Sequence, residues 1–163
     1  MALQTKHKIG IGAAGAGIIA AALTVIMPSE GKRNVGYADP IGIPTICYGH
    51  TGADVRVGER ATDAQCKDLL AGDAQEAFQG VTACTGGKLT PGMAAAFTSV
   101  GFNIGVKKFC ESSMARKAKQ GDKAGACAEI SRWVNAGGHP LPGLVTRRAK
   151  ERALCESDIK DDK

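Results

Sequence analysis

Residues 28 to 52 read PSEGKRNVGYADPIGIPTICYGHTG and contain the most informative pattern of the sequence. Ser29 is a residue type that caps helix N-termini, which predicts a helix beginning near Glu30. From Tyr37 to Thr51, glycine, proline and β-branched residues alternate over short distances, a pattern typical of a hairpin or a small three-stranded sheet. The stretch therefore predicts a helix start followed directly by a small sheet.

Helical patterns dominate the sequence after this stretch. A long helix is expected from Thr62, and Thr90-Pro91 is typical of the start of a helix through AAAFTSVGFNI, the expected central core helix. Shorter helices are expected over 110–119, 122–134 and 143–156. The predicted fold class is α+β, with a small β-sheet lobe joined by a helix to a larger helical lobe.

Length and charge limit the classes of function. A chain of 163 residues with 44% hydrophobic and 23% charged residues has room for one globular domain with a core. The net charge of +5 favours adsorption to an anionic polymer such as a cell wall, or serves solubility alone. It is too small and too scattered to indicate a nucleic-acid partner.

The N-terminal segment carries no charge over residues 9–27, IGIGAAGAGIIAAALTVIM, and is predicted to form an apolar helix ahead of the domain. Its length just matches the hydrocarbon core of a bilayer, but its many glycines and alanines predict only marginal retention there. A permanent anchor, a signal peptide cleaved near Ala20-Ala21-Ala22, and a signal-anchor that later leaves the bilayer intact are all open. The third is favoured because Leu23 to Met27 continue the apolar run. The expected division is residues 1–27 and 28–163.

Six cysteines favour an oxidising compartment and up to three disulfides, with 15 possible connectivities for six thiols. No Cys-x-x-Cys pair occurs, and His7, His50 and His139 form no ligand cluster with the cysteines. We therefore expect no metal site.

Two carboxylates, Glu30 and Asp39, bracket the start of the predicted sheet, and Thr45 follows on the next strand. Glycoside hydrolysis needs two carboxyl groups, one that protonates the leaving oxygen and one on the opposite side of the sugar. A hydroxyl such as that of Thr45 can hold a water beside the second carboxylate. Each residue alone has a structural explanation, as a helix-end charge, a turn former and a strand residue.

The whole stretch closely resembles the catalytic segment of the phage-type lysozymes, glycoside hydrolase family 24. The family pattern is Glu-Gly, then Tyr-x-Asp, Gly-x-x-Thr and Gly-His-Thr. These motifs stand here at the family's spacing, as Glu30-Gly31, Tyr37-x-Asp39, Gly42-x-x-Thr45 and Gly49-His50-Thr51. Less specific similarity continues through Phe102-Asn103-Ile104-Gly105, Ser131-Arg132-Trp133 and Gly143-Leu144-x-x-Arg147-Arg148, so that the resemblance covers about residues 28–156.

The resemblance implies roles for particular residues. Glu30 would be the general acid, Asp39 the carboxylate that activates water, and Thr45 the residue that positions that water, with inversion at the anomeric carbon. Arg148 would pair with Glu30, and Asn103 would bind substrate or support the site. His50 would form a structural salt bridge with Asp73. No metal or organic cofactor is implied.

Cys47 departs from the family pattern, because it replaces a glycine in the strand after Thr45. A reactive thiol has no evident basic partner there, so a disulfide is expected, with Cys66 as first candidate. The helical pattern then suggests Cys110–Cys127 and Cys84–Cys155 as the remaining pairs.

The leader resembles the signal-anchor-release segment of some phage endolysins. The combined hypothesis is a muramidase that residues 9–27 hold inactive at the host inner membrane. After release it would act on peptidoglycan in the periplasm as a monomer. No cysteine precedes residue 47, so release would act through conformation instead of thiol exchange. A lytic transglycosylase, an inactive wall-binding module and a membrane-perturbing leader on a stable domain are the alternatives; the leader's lack of a charged face disfavours the last.

Overall fold

The computed structural model describes residue 3 and residues 10–159, and all elements below belong to that part of the chain. The elements form a small sheet lobe and a larger helical lobe, as predicted. The helices are α1 Ala13–Ser29, α2 Asp63–Cys84, α3 Pro91–Ile104, α4 Val106–Cys110, α5 Ser113–Gln120, α6 Lys123–Glu129 and α7 Pro142–Glu156. The strands are β1 Arg33–Ala38, β2 Pro44–Cys47, β3 His50–Thr51, β4 Asn135–Ala136 and β5 His139–Pro140.

The sheet lobe is an antiparallel sheet in the order β1-β2-β3, which confirms the predicted three-stranded sheet. Tyr37 lies opposite Thr45, and Thr45 lies opposite Thr51. The loop before α2 folds back on β1, where Gly36 donates to the Glu59 carbonyl at 2.8 Å. A Cβ at Gly36 would lie 2.1 Å from the Arg56 carbonyl oxygen, so only glycine permits this close approach.

The helical lobe surrounds α3, the predicted core helix, which is buried from Gly92 to Gly101. Phe97 of α3 packs on Phe109 of α4 with ring centroids 5.1 Å apart. Both predicted helix starts are confirmed: Thr62 forms a capping box with Gln65, and the Thr90 hydroxyl accepts from the backbone N–H of Met93. Helix α2 connects the two lobes, because it packs on both β2 and α3.

The predicted helix start at Ser29 is wrong, because Ser29 ends α1 instead. Its hydroxyl donates to the Val25 carbonyl at 2.7 Å, and the Glu30 N–H donates to the Ile26 carbonyl at 3.1 Å. These bonds satisfy carbonyls at the C-terminus of the preceding helix, so the serine is not available to cap a following one. Glu30 therefore follows a helix and precedes β1.

Helix α1 packs on α2, α3 and α7 as part of the helical lobe. Ile19, Ala22 and Ile26 are buried together with Leu70 and Ala95 of the neighbouring helices. The helix runs without a break through residue 27, whereas residue 9, the start of the expected apolar segment, lies outside the described residues. Within residues 10–159, each helix is too short or too polar to traverse a bilayer.

Between α3 and α7 the elements are shorter than predicted. The helix expected over 110–119 corresponds to α5, which begins only at Ser113, and α4 before it was not predicted as a separate helix. The helix expected over 122–134 is divided into α6 and a 3-10 turn at Ile130–Arg132. An unpredicted two-stranded hairpin, β4-β5, turns at Gly137 and Gly138, whose φ angles of 60° and 83° suit glycine. Helix α7 agrees with the prediction over 143–156.

Three disulfides connect the elements, and only one of the predicted pairs is correct. Cys47–Cys66 ties β2 to α2, as expected. The expected pairs Cys84–Cys155 and Cys110–Cys127 are wrong, because the structure contains Cys84–Cys110 and Cys127–Cys155. Helix α4 packs on the C-terminal part of α2, and α6 packs on α7, so proximity in the fold selects these partners.

Candidate active site

Glu30 lies at the lobe junction, between the end of α1 and the start of β1. Its Oε1 accepts a hydrogen bond from Nη1 of Arg147 in α7 at 2.7 Å, and its side chain is 23% exposed. The carboxyl group opens into a cavity of about 760 Å³ that Glu30 lines together with Asn103, Leu141, Arg147 and Lys150. Glu30 is thus held at one oxygen and accessible to a ligand.

The predicted pairing of Arg148 with Glu30 is wrong, because Arg147 makes that contact. Successive residues of a helix point about 100° apart, so the two arginines of α7 face different neighbours. Arg148 instead donates through Nε to the Trp133 carbonyl at 2.8 Å and through Nη2 to Oδ1 of Asn103. Sequence similarity located the Arg-Arg pair but could not assign each member.

Asn103 lies near the C-terminal end of α3, exposed in the same cavity as Glu30. Because Arg148 occupies its Oδ1, the amide NH₂ of Asn103 is fixed in orientation, with two donors to offer. The structure thus brings Asn103 and Glu30 together.

Asp39 lies in the β1-β2 turn, and that turn orients its carboxylate. Oδ1 accepts from the N–H groups of Ile41 and Ile43 at 2.9 and 2.8 Å. The Gly42 N–H donates to the Asp39 carbonyl at 2.9 Å, and Gly42 has a φ of 86°, which explains the glycine here. In the described part of the chain no hydrogen bond to Oδ2 is found, so this oxygen can act on a water.

Thr45 is 5% exposed on β2, and its hydroxyl donates to the Ile43 carbonyl at 3.0 Å. A hydroxyl has one proton to donate and two lone pairs, so the Thr45 oxygen remains an acceptor for a water. The backbone of Ile43 bonds to the side chains of both Asp39, in the turn, and Thr45, in the strand that follows it. Neither of them lines the cavity of Glu30.

His50 is buried on β3 and contacts Asp73 of α2, as the resemblance implied. Its Nδ1 lies 2.8 Å from Oδ2 of Asp73, and Nε2 lies 3.8 Å from Oδ1 of Asp54. Asp73 also lines a second cavity of about 390 Å³, together with Thr51, Phe102 and Gly105. Because Phe102 and Asn103 are adjacent, the end of α3 contributes to both cavities.

Sequence reasoning missed Glu151 and Ser99, two buried polar residues behind Arg147. Glu151 has no exposed surface, and its Oε1 accepts from Ser99 at 2.6 Å and from Nε of Arg147 at 3.0 Å. A signal was present, since Glu151 follows Arg147 by four residues and Arg148 by three, the spacings that bring helical side chains together. The same spacing also occurs in exposed ion pairs, so it could not reveal burial.

The family model described as phage lysozyme matches residues 27–151. The chain belongs to the phage lysozyme family. It is therefore a glycoside hydrolase of the lysozyme type, and its Glu30 and hairpin residues lie within the matched part.

Relatives in this family include proteins named SAR-endolysins. The protein of Enterobacteria phage P21 is 38% identical over 155 residues, which cover 91% of this chain and 94% of the relative. The protein of Bacteriophage PS119 is 34% identical, with coverage of 95% and 96%.

Solved structures share the lysozyme-like fold. The active form of the P1 phage endolysin Lyz has a TM-score of 0.69 at 26% identity, covering 97% of this chain and all of that one. The secreted inactive form of the same endolysin has a TM-score of 0.58 at 25% identity, covering 93% and 99%. The muramidase domain of SpmX from Asticaccaulis excentricus has a TM-score of 0.73 at 29% identity, covering 92% and 98%.

Proposed function

We propose that this protein is an endolysin that hydrolyses the β-1,4 bond between N-acetylmuramic acid and N-acetylglucosamine in peptidoglycan during host cell lysis. The single observation that carries the proposal is Glu30, a carboxyl group held by Arg147 and open to a cavity at the lobe junction of a phage lysozyme fold. Asp39 and Thr45 supply the second half of the chemistry from the sheet lobe.

Glu30 is assigned as the general acid. Arg147 engages Oε1, which leaves Oε2 to present a proton to the glycosidic oxygen of a bound glycan. Transfer of that proton lets the leaving sugar depart as an alcohol while the C–O bond breaks. The orientation imposed by Arg147 matters because proton transfer requires the donor and acceptor within hydrogen-bond distance.

Asp39 and Thr45 are assigned to the attacking water. A water that donates one proton to Oδ2 of Asp39 and the other to Oγ1 of Thr45 keeps a lone pair directed away from both. That lone pair attacks the anomeric carbon, and Asp39 takes the water's proton as the new C–O bond forms. Attack from the face opposite the leaving oxygen gives an inverted product.

The position of α1 supports regulation by release from the membrane. Ile19, Ala22 and Ile26 cannot be buried in the helical lobe and inserted in a bilayer at the same time. Because Glu30 directly follows α1, insertion of residues 9–27 would withdraw Glu30 from Arg147. The greater similarity to the active than to the inactive form of the P1 endolysin supports assigning this arrangement to the released enzyme. Cleavage near Ala22 would remove Ile19, so intact release is favoured.

The function is tested by mass spectrometry of the products from purified peptidoglycan, with the wild-type protein and Glu30→Gln. We expect reducing muramic acid ends from the wild type and at least about 100-fold fewer from Glu30→Gln. Glu156→Gln, at the exposed end of α7, is the matched control and should retain activity. Anhydro-muramyl ends would indicate a transglycosylase, and no cleavage by a folded, disulfide-intact wild type would indicate a wall-binding module.

Release is tested separately with the full chain expressed in a Gram-negative host. Before the membrane potential is collapsed, we expect the protein in the membrane fraction without hydrolase activity. After collapse, it should move to the soluble periplasmic fraction at its full mass and become active. Equal activity of the tethered protein would contradict the regulatory part of the proposal and leave the hydrolase assignment intact.

A further inference from the structure

We propose that Glu151 is a positioning residue for the hydrolase, a buried carboxylate that fixes Arg147 and, through it, the general acid Glu30. This inference rests on the proposed role of Glu30. It concerns a side chain that lies away from the cavity and touches no substrate.

Glu151 and the two arginines that it contacts are buried. Glu151 has no exposed surface, and Arg147 and Arg148 are 4% and 1% exposed. Removing charged groups from water costs several kcal/mol per ion unless partners satisfy them, so such a cluster persists only with closely matched geometry. Two arginines and two glutamates, Glu151 and Glu30, make up this cluster.

Each carboxylate oxygen of Glu151 accepts a hydrogen bond from a different arginine. Oε1 accepts from Nε of Arg147 at 3.0 Å, and Nη1 of the same guanidinium reaches Glu30 at 2.7 Å. Oε2 accepts from Arg148, which holds Asn103. One buried carboxylate thus supports Glu30 and Asn103, two of the residues that line the cavity.

Ser99 of α3 completes the arrangement. Its hydroxyl donates to Oε1 of Glu151 at 2.6 Å, and its carbonyl accepts from Nη2 of Arg147 at 3.3 Å. The Arg147 guanidinium is therefore fixed on three sides, by α3, by Glu151 and by Glu30. A planar group held this way can orient one oxygen of Glu30 without following its motions.

The test compares kcat on soluble, uncross-linked glycan chains for wild type, Glu151→Gln, Arg147→Met and the double variant. Glutamine keeps the shape but accepts at one atom only, so it cannot bond both arginines and its NH₂ group would face one of them, which should disturb the orientation of Arg147. Since small displacements of a catalytic group are costly, we expect kcat per folded molecule to fall at least about tenfold. In the Arg147→Met background, Glu151→Gln should change kcat less than about twofold, because the link to Glu30 is already cut.

Glu129→Gln is the matched control, because Glu129 also accepts from two cations and a serine, namely Lys117, Arg132 and Ser113. It contacts neither Glu30 nor Arg147, so it should leave kcat per folded molecule unchanged. Ser99→Ala is made in parallel in case Glu151→Gln does not fold; it weakens the same arrangement with all charges kept and should lower kcat about two- to fivefold.

The outcomes separate this inference from the proposed function. Wild-type kcat in both Glu151→Gln and Ser99→Ala, or equal losses from Glu151→Gln with and without Arg147, would overturn the positioning role. If Glu30→Gln is inactive in that case, the assignment of Glu30 as general acid is retained and only the positioning role of Glu151 is rejected. If Glu30→Gln is as active as the wild type, the proposed function itself fails.

Discussion

The two lobes hold their proposed catalytic residues in different ways. In the sheet lobe, Asp39 and Thr45 are oriented by backbone groups no more than four residues away. In the helical lobe, Glu30 is oriented by Arg147, 117 residues further along the chain. The sheet lobe has a small core around Ile46, whereas the helical lobe has a large one around Phe97.

The orientation of a catalytic side chain therefore depends on a local turn in one lobe and on the packing of several helices in the other. A tight turn can aim a carboxylate with little help from the rest of the molecule, provided that the turn itself stays closed. The long-range contact to Glu30 exists only when α1, α3 and α7 are packed together. We therefore expect changes beside the β1-β2 turn to lower activity per folded molecule. Changes in the helical lobe should lower stability, with activity lost only where they disturb the contact between Glu30 and Arg147.

The largest effect is expected from Asp39→Asn. The asparagine Oδ1 can still accept from Ile41 and Ile43, so the turn should persist while the base is lost. We expect product formation to fall at least about 100-fold with an unchanged melting temperature. Asp122→Asn is the control, since Asp122 also accepts a nearby backbone N–H, from Gly125, but lies outside the site. A large drop in melting temperature for Asp39→Asn but not for Asp122→Asn would show that the turn does not stay closed without the Asp39 carboxylate.

The disulfides give the next contrast. Replacing Cys47 and Cys66 by serine should loosen β2 beside Thr45 and lower activity per folded molecule about tenfold or more, together with a loss of stability of about 2–4 kcal/mol. Replacing Cys127 and Cys155 should destabilise the protein by about 2–4 kcal/mol, with normal activity per folded molecule. Activity assays and thermal denaturation of both variants test this, and the same pattern from both pairs would abolish the distinction between the lobes.

Asp73→Asn tests the contact between the lobes. Asp73 holds the buried His50, so its loss should destabilise the protein by about 1–3 kcal/mol in urea denaturation. Glu156→Gln breaks an exposed pair with Arg152 and should cost less than about 1 kcal/mol. Similar costs for the two variants would mean that burial of His50 adds nothing to the strength of its contact with Asp73.

The smallest effect is expected for the pH dependence of stability at Glu129, the last residue of α6. The hydrogen bond from Lys117, followed by that from Ser113, lowers the pKa of Glu129 from 4.5 to about 2. Since the folded-state pKa is depressed, its stabilising contribution is present above about pH 4.5 and is lost as the pH falls towards 2. The difference in unfolding free energy between wild type and Glu129→Gln should shrink over that range. A difference independent of pH would exclude ionisation as its source.

The comparison of lobes also explains what the sequence could predict. Glu30, Asp39, Thr45 and the three strands lie within one short stretch, so motif spacing was enough to place them in the chain. The disulfide partners of Cys84 and Cys155 depend on which helices pack together, and periodicity within one helix does not contain that information. Periodicity also cannot decide whether Arg147 or Arg148 contacts Glu30, because that depends on how α7 is rotated about its axis.

Ser29 illustrates the remaining limit. As an isolated residue it is equally able to cap a helix that starts or to close one that ends, and burial of Ile19 and Ile26 decides between them. The β4-β5 hairpin is similar, because two glycines alone indicate a turn but not the pairing of two-residue strands around it.

The contact between Glu30 and Arg147 has a consequence for translation. Helix α1 leaves the ribosome early and α7 leaves it last among the described helices, so the two partners are synthesised 117 residues apart. A nascent or truncated chain that stops before Arg147 lacks the group that orients its proposed acid, and it also lacks Cys155, the partner of Cys127. Under the proposed function, competence for hydrolysis therefore arrives only once α7 has been synthesised, and we expect unfinished chains to be inactive.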